Sequence, residues 1–304
     1  MTDDRVSLLG QRASLLTRIR NVAASEPGTD AARRVQLVLA MDRYLARLLA
    51  TTEWGSWVLK GAFANQLRAP SEARFTQDVD LRLEAPLEDA PEILARAAST
   101  DLADLFSFEF AAPPQSLIGP PGGGLRFPIR ALLAGTEFVR FGADVNSMDA
   151  VIGKLERHPS VPFVVRLGCP TSWFPVYPIA QQFAEKLHAF TRPRDQENTR
   201  VKDLADMIWY IERYRFRSDA LIDSAVATFA RRSEPPWPPD VPDVPDAWGR
   251  PYSAMRREMG IAPATPLAAR DALAAFLQPV LAGQRGLRSE RGGAWSTLAK
   301  RVPG

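Results

Sequence analysis

The chain has 304 residues, 46% hydrophobic and 24% charged, with a formal net charge of +3 and a sequence pI near 9.2. This excludes a disordered chain and leaves room for one large or two ordinary domains with real cores, while the mildly basic balance is compatible with nucleic acid without requiring it. Cys169 is the only cysteine, which excludes an intrachain disulfide or a cysteine-rich zinc site and makes a reducing cytoplasm the simplest compartment. The start MTDDRVSLLG lacks the basic-then-apolar order of a signal peptide, and no run approaches the roughly 18 apolar residues of a membrane span. The expectation is a soluble cytoplasmic protein.

Val6, Leu8, Leu9, Leu15, Leu16, Ile19 and Val22 recur at helical spacing, and Asp30 is placed to cap a second helix carrying Val35, Val38, Leu39, Leu45, Leu48 and Leu49. Both read as core-packing helices. Next comes VLKGAFANQLRAPSEARFTQDVDLRL, from Val58 to Leu83. The apolar run Trp57–Leu59 breaks at Lys60-Gly61-Ala62, and the residues to Leu67 fit a helix. Gly61 then sits at a helix N-terminus, where free N–H groups point outward, the backbone can approach a phosphate closely and Lys60 adds positive charge. Asp78 and Asp80 alternate with Val79 and Leu81, which predicts a strand with both acids on one face. Such like charges repel, and a divalent cation bridging them is the usual compensation. An acid-x-acid triplet alone is commonly a solvated strand face; the glycine turn upstream makes this one a candidate for holding a nucleoside triphosphate with its metal.

Farther on, Pro91 to Leu105 is a helix candidate, and Phe106, Phe108 and Phe110 alternate as a strand. Pro113, Pro114, Pro120 and Pro121 with Gly122, Gly123 and Gly124 predict a loop between strands, the glycines a flexible hairpin tip rather than a phosphate loop. Leu125–Leu133 and Glu137–Val145 read as a hairpin around Ala134-Gly135-Thr136. Arg140, Gly142 and Asp144 share a face there, so Asp144 can project toward the Asp78/Asp80 strand if the two are neighbours; Asp149 competes with it. Phe163 to Leu167 reads as one more strand.

Helices dominate thereafter. Ile179, Phe183, Leu187 and Phe190 line one apolar face with Lys186 on its rim, where a lysine is ordinarily a solvated charge. After a polar loop, RVKDLAD (Arg200 to Asp206) opens another helix with Asp203, Asp206 and Tyr210 on its polar side. Ser233 to Pro251 holds many prolines with Trp237 and Trp248, and reads as an extended surface strap that cannot be helix. Ala264 to Leu281 is a last helical region. The tail beyond Gly283 carries Arg285, Arg288, Arg291, Lys300 and Arg301 against Glu290, a charge that is usually just solvated and otherwise suits a phosphate backbone.

Two blocks carry a resemblance. LKGA followed by RFTQDVD (Arg74 to Asp80) resembles the DNA polymerase β-type nucleotidyltransferase superfamily and, within it, the AbiEii/MenT nucleotidyltransferase toxins of bacterial toxin–antitoxin systems. EKLHAFTR and NTRVKDLADM resemble the second half of the same toxins. One departure is Ala62, where the superfamily has Ser or Gly, so a hydroxyl contact to phosphate is missing. The resemblance implies an α+β fold: a polymerase-β-type mixed sheet with flanking helices over residues 1–172, then a mainly helical lobe over 173–304 that completes the active-site cleft and includes the strap at 233–251. It further implies catalytic roles for Asp78, Asp80, Lys186 and Asp203, metal binding by Asp78, Asp80 and Asp144, and nucleotide contacts from Lys60, Gly61, Ala62, Arg74, Thr76, Lys202 and Asp206.

On that account Mg²⁺ or Mn²⁺ is the cofactor and a nucleoside triphosphate the substrate. Lys186 meets charge on the β/γ-phosphates; Asp203 either orients Lys186 through an ion pair or positions the base or acceptor. The chain is expected to be a toxin, monomeric when free, adding nucleotides to RNA, specifically the tRNA acceptor end, and so blocking translation. A cognate antitoxin silences it by occlusion or by phosphorylating Thr76 or Ser71. The other readings are a metal-dependent glycosyltransferase with an Asp-x-Asp motif and a non-catalytic RNA- or partner-binding module.

Overall fold

The computed structural model describes residues 2–26, 30–117, 123–147, 150–232 and 235–298, with side chains from residue 9 onward. It divides into two compact units, the first made of 1–149 and 155–176, the second of 150–154 and 177–304.

The first unit opens with α1 (Thr2–Ser25) and α2 (Ala31–Thr51), followed by β1 (Trp57–Lys60), α3 (Gly61–Arg68), β2 (Asp78–Leu83), α4 (Ala90–Ser99), β3 (Phe106–Phe110), β4 (Gln115–Ser116), β5 (Leu125–Leu133), β6 (Thr136–Asn146), β7 (Glu156–Pro159), α5 (Pro162–Arg166) and β8 (Trp173–Val176). Among the described residues the strands form one sheet in the order β3-β5-β6-β2-β1-β8-β7, with β4 paired to β5. It is mixed, as expected: β2 runs parallel to β6, and β1 to β8, while β1/β2, β5/β6, β3/β5 and β7/β8 are antiparallel. Trp57 and Leu59, Val79, Leu81 and Leu83, Phe127 and Ile129, and Phe141, Ala143 and Val145 are buried in one core with Val35, Val38, Leu39, Leu45 and Leu48 of α2. Because side chains alternate along a strand, burying these residues turns Lys60, Asp78, Asp80, Arg126 and Asp144 to the opposite face.

Several expectations need correction. Residues 163–167 form no strand: they lie mostly in α5, with Pro162 in its first turn and Gly168 following at φ +88°. A short apolar run has no periodicity of its own to separate strand from helix, whereas the proline-start, glycine-stop pair favours helix. Asp30 takes the N-cap position of α2 without a side-chain capping bond, its backbone (φ −104°, ψ 25°) lying outside the extended region that aims a cap at the next N–H groups. The segment between the prolines is not all loop, since Gln115 and Ser116 pair with Arg126 and Leu125. Part of that segment (118–122), with Gly122 of the glycine run, and Asp149 lie outside the described residues.

The second unit holds α6 (Ile179–Thr191), α7 (Val201–Arg213), α8 (Ser218–Arg232), α9 (Gly249–Met259), α10 (Pro266–Leu281) and a hairpin of β9 (Leu287–Ser289) and β10 (Trp295–Thr297). Phe183 sits at its centre, its ring centroid 5.5 Å from Phe216 and 5.7 Å from Phe276. The proline-rich strap is not extended to its end: a 3-10 turn at Asp246–Trp248 leads into α9, which accommodates Pro251 in its first turn, where no intrahelical N–H is lost. Both strap tryptophans are structural anchors. Trp248 is buried and its Nε1 donates to Asn198 O at 2.7 Å, while Trp237 packs edge-on against Phe229. Among the described residues no helix is long and apolar enough to cross a membrane.

Candidate active site

Four neighbouring strands place one charged residue each in a single row. Lys60 of β1 stands opposite Asp80 of β2, Asp80 opposite Asp144 of β6, and Asp144 opposite Arg126 of β5. Register partners share a face, so the row reads cation, carboxylate, carboxylate, cation, with Asp78 one step along β2 on the same face, beside Gly142.

Two glycines make the space for these acids. A Cβ at Gly142 would lie 2.3 Å from Asp78 Oδ1. A Cβ at Gly61 would lie 1.8 Å from Asp80 Oδ2 and 2.9 Å from Asp80 Cβ, and Gly61 also has φ +70°, which disfavours any side chain. Gly61 therefore does more than free a helix N-terminus: it is the position against which Asp80 rests. Lys60 is the N-cap of α3, extended at φ −134°, ψ −167°. Ala62 is buried, so the absent hydroxyl would have faced protein, and only its backbone remains for a ligand.

Arg126 is a site residue that motif reading missed. Its guanidinium forks onto Asp144, Nε to Oδ1 and Nη2 to Oδ2, both at 2.7 Å, and Nη2 lies 3.8 Å from Asp78 Oδ2. The hydrogen bond to Asp144, with the charges of Asp144, Asp78 and Asp80, holds the Arg126 pKa above its ordinary value. The tight turn at Ala134-Gly135 alone would set residue 126 opposite 143; a register shift at Ala131/Leu132 brings Arg126 opposite Asp144.

Thr76 accepts the Asp78 N–H and donates to the Asp78 carbonyl, both at 3.3 Å, which ties the loop to the start of β2. Arg74 is half-buried and its carbonyl accepts from Gln66 Nε2 at 3.2 Å; Ser71 is exposed in the turn after α3.

In the second unit the remaining residues gather on facing helices. Lys186 of α6 is almost fully buried, with Nζ 2.6 Å from Asp206 Oδ2 and 3.1 Å from Asp203 Oδ1 on α7. One turn along the seam Gln182 Nε2 donates to Tyr210 OH at 2.7 Å. Lys186 is thus no solvated rim charge, and the polar side of α7 is packed: Asp206 and Tyr210 are fully buried. Arg200 Nη1 approaches Asp203 Oδ2 at 3.7 Å, and Lys202 is exposed.

Among the described residues no group of three or more His, Cys, Asp or Glu is gathered as a metal cluster. Asp78 and Asp80 nonetheless fit a hard divalent cation: both offer carboxylate oxygen on one face, and each rests in space that a glycine Cβ would fill. Asp144 differs, since both its oxygens are engaged by Arg126.

A profile of the AbiEii family, described as nucleotidyl transferase AbiEii toxins of type IV toxin–antitoxin systems, matches residues 43–278. Among solved structures, MenT4, a nucleotidyltransferase toxin from Mycobacterium tuberculosis, superposes with a TM-score of 0.52 at 18% identity over 89% of this chain and 99% of that one. At that identity the likeness is one of fold. A search of curated protein sequences gives no significant match.

Proposed function

The chain belongs to the AbiEii family of nucleotidyl transferase toxins, and we propose that it transfers nucleotides from a nucleoside triphosphate to RNA, at the tRNA acceptor end, and so stops translation in the cytoplasm. The observation that carries this reading is the Asp78/Asp80 pair, set on one strand face against Gly61 and Gly142. Family membership removes the glycosyltransferase alternative.

In such a transfer the acceptor oxygen attacks the α-phosphorus, the bond to the bridging oxygen breaks and pyrophosphate leaves. A divalent cation, Mg²⁺ or Mn²⁺, held by Asp78 and Asp80 would supply charge neutralisation at the α-phosphate and the leaving group. The N-terminal turn of α3 at Gly61 and Ala62 is assigned to the phosphates, with the positive charge of Lys60 beside Asp80. Asp144, held in one orientation by Arg126, serves the acceptor hydroxyl. Lys186 is assigned to charge on the β/γ-phosphates, and its 3.1 Å ion pair supports the orienting role for Asp203, with Asp206 as a second tether. Arg74, Thr76 and Lys202 are assigned to the nucleotide.

A toxin of this kind needs a cognate antitoxin, acting by occlusion or by phosphorylating Thr76 or Ser71. The acceptor is tested by inducing the gene in cells and sequencing RNA 3′ ends. Added nucleotides on tRNA are expected; unaltered tRNA with arrested growth would contradict the assignment, and harmless expression would favour the binding-module reading.

A further inference from the structure

The described part of the basic tail, with Arg285, Arg288 and Arg291, folds back onto the second unit, while Lys300 and Arg301 lie outside the described residues. Beyond α7 the chain runs extended, with Arg215 and Arg217 exposed and Phe216 and Ser218 buried. The β9–β10 hairpin is zipped to this segment: Ser289 N donates to Phe216 O at 2.8 Å, Phe216 N to Ser289 Oγ at 2.8 Å, and Leu287 N to Ser218 Oγ at 3.0 Å, with Arg217 and Arg288 bridged. The hairpin turn is fixed as well. Gly292 N donates to Ile211 O at 3.1 Å, and a Cβ at Gly293 would meet Ile211 Cγ2 at 2.8 Å. Trp295 stacks on Phe276 and donates to its carbonyl at 2.9 Å.

This anchoring leaves a cleft of about 480 Å³ lined by Arg213, Tyr214, Arg215 and Arg291. Arg213 is held rigidly, its guanidinium 5.6 Å from the Trp209 ring centre, with Nη1 3.2 Å from Glu212 and Nη2 donating to Met259 O at 2.7 Å. Arg215 meets Glu290 at 2.9 Å across a half-exposed pair, which water and salt weaken. Arg291 is exposed and, among the described residues, has no carboxylate partner within ion-pair distance. Arg291, and Arg215 when its half-exposed pair opens, offer the fork geometry that recognises phosphate, while Arg213, held by Glu212 and the Met259 carbonyl, adds charge at the cleft wall. Arg217, 3.8 Å from Asp219, and Arg288 are exposed on the bridged strands beside the cleft, an arrangement suited to successive phosphates of a polynucleotide more than to one small anion.

We propose that this arginine cleft binds the phosphodiester backbone of the acceptor RNA. The proposal rests on the reading that RNA is the acceptor, and it concerns binding, not chemistry. The test is fluorescence anisotropy of end-labelled tRNA with the full chain at several salt concentrations, comparing wild type, the double variant Arg215→Ala/Arg291→Ala, Arg291→Glu, and Arg96→Ala as an exposed control on α4. Arg215 and Arg291 are exposed, so the variants should melt with the wild type. Loss of two charged contacts is expected to weaken binding roughly tenfold or more and to flatten the salt slope by about 1.4 to 1.8, while Arg96→Ala leaves both unchanged. Wild-type affinity and slope in the double variant and in Arg291→Glu would overturn the cleft while leaving the RNA reading intact. Failure of the wild-type chain itself to bind RNA would overturn both.

Discussion

Both edges of the Arg126 guanidinium rest on Asp144, at 2.7 Å each, while Nη2 also stands 3.8 Å from Asp78. The sheet thus carries its own counter-ion beside the paired acids. In the metal-free protein Arg126→Met should cost about 1 kcal/mol, since the pair is partly solvated, equivalent to a melting shift of roughly 2–4 °C. Mn²⁺ should bind the variant more tightly than wild type, because the guanidinium no longer competes for the carboxylates. Titration calorimetry reads this directly; weaker Mn²⁺ binding would mean that Arg126 holds the acids in place for the cation instead.

Gly61 is predicted to tolerate no side chain. Gly61→Ala imposes φ +70° on alanine and drives its Cβ into Asp80, at a cost of about 1–3 kcal/mol. Displacing Asp80 by an ångström should lower transfer about 10²-fold. Gly142→Ala should be milder, because only the tip of Asp78 must give. Thermal melts with single-turnover rates check both; a Gly61→Ala protein with wild-type turnover would remove Asp80 from the chemistry.

Most of the first unit was legible because its strands alternate. The buried set Val79, Leu81, Phe141, Ala143 and Val145 fixes which way Asp78, Asp80 and Asp144 face, whereas the register that sets Arg126 against Asp144 depends on an irregularity at Ala131/Leu132 that no sequence pattern marks. Arg126 was overlooked because a lone arginine opposite an aspartate matches no motif until the strands are laid side by side. The short helix at Pro162–Arg166 and the helical end of the strap were hidden by apolar and proline content that decides nothing by itself. Lys186 was read as a rim residue because helical spacing describes one helix, whereas its burial is set by α7, whose carboxylates close over it.

That closure makes a stability prediction. Lys186→Met leaves Asp203 and Asp206 facing each other without their cation, and breaking a buried pair in this way costs about 3–5 kcal/mol. Lys186→Met/Asp206→Asn should recover most of the loss in urea melts while remaining inactive in transfer. Lys186→Arg should restore charge and only part of the turnover, its fork being longer than the ammonium it replaces. An unchanged urea midpoint for Lys186→Met would mean that the ion pairs contribute nothing to the fold.

Thr76 bears on silencing. Phosphate there would add a charge of about −1.5 to −2 two residues before Asp78 and end the hydroxyl's tie to the Asp78 backbone. Thr76→Glu should therefore be partly inactive and Thr76→Ala active. Co-expression with the neighbouring gene, followed by intact-mass measurement, separates the routes. A gain of ~80 Da mapping to Thr76 or Ser71 supports modification, and an unmodified stable complex supports occlusion.

The central claim is that the Asp78/Asp80 face performs nucleotidyl transfer, and the most direct measurement is incorporation of α-labelled nucleoside triphosphate into RNA by purified protein with Mg²⁺, wild type against Asp80→Ala. Losing one carboxylate relieves repulsion with Asp78, so the variant should melt at or above the wild-type temperature. The account predicts label in tRNA with wild type and none with folded Asp80→Ala. Equal incorporation by the two, with the same metal requirement, would contradict it.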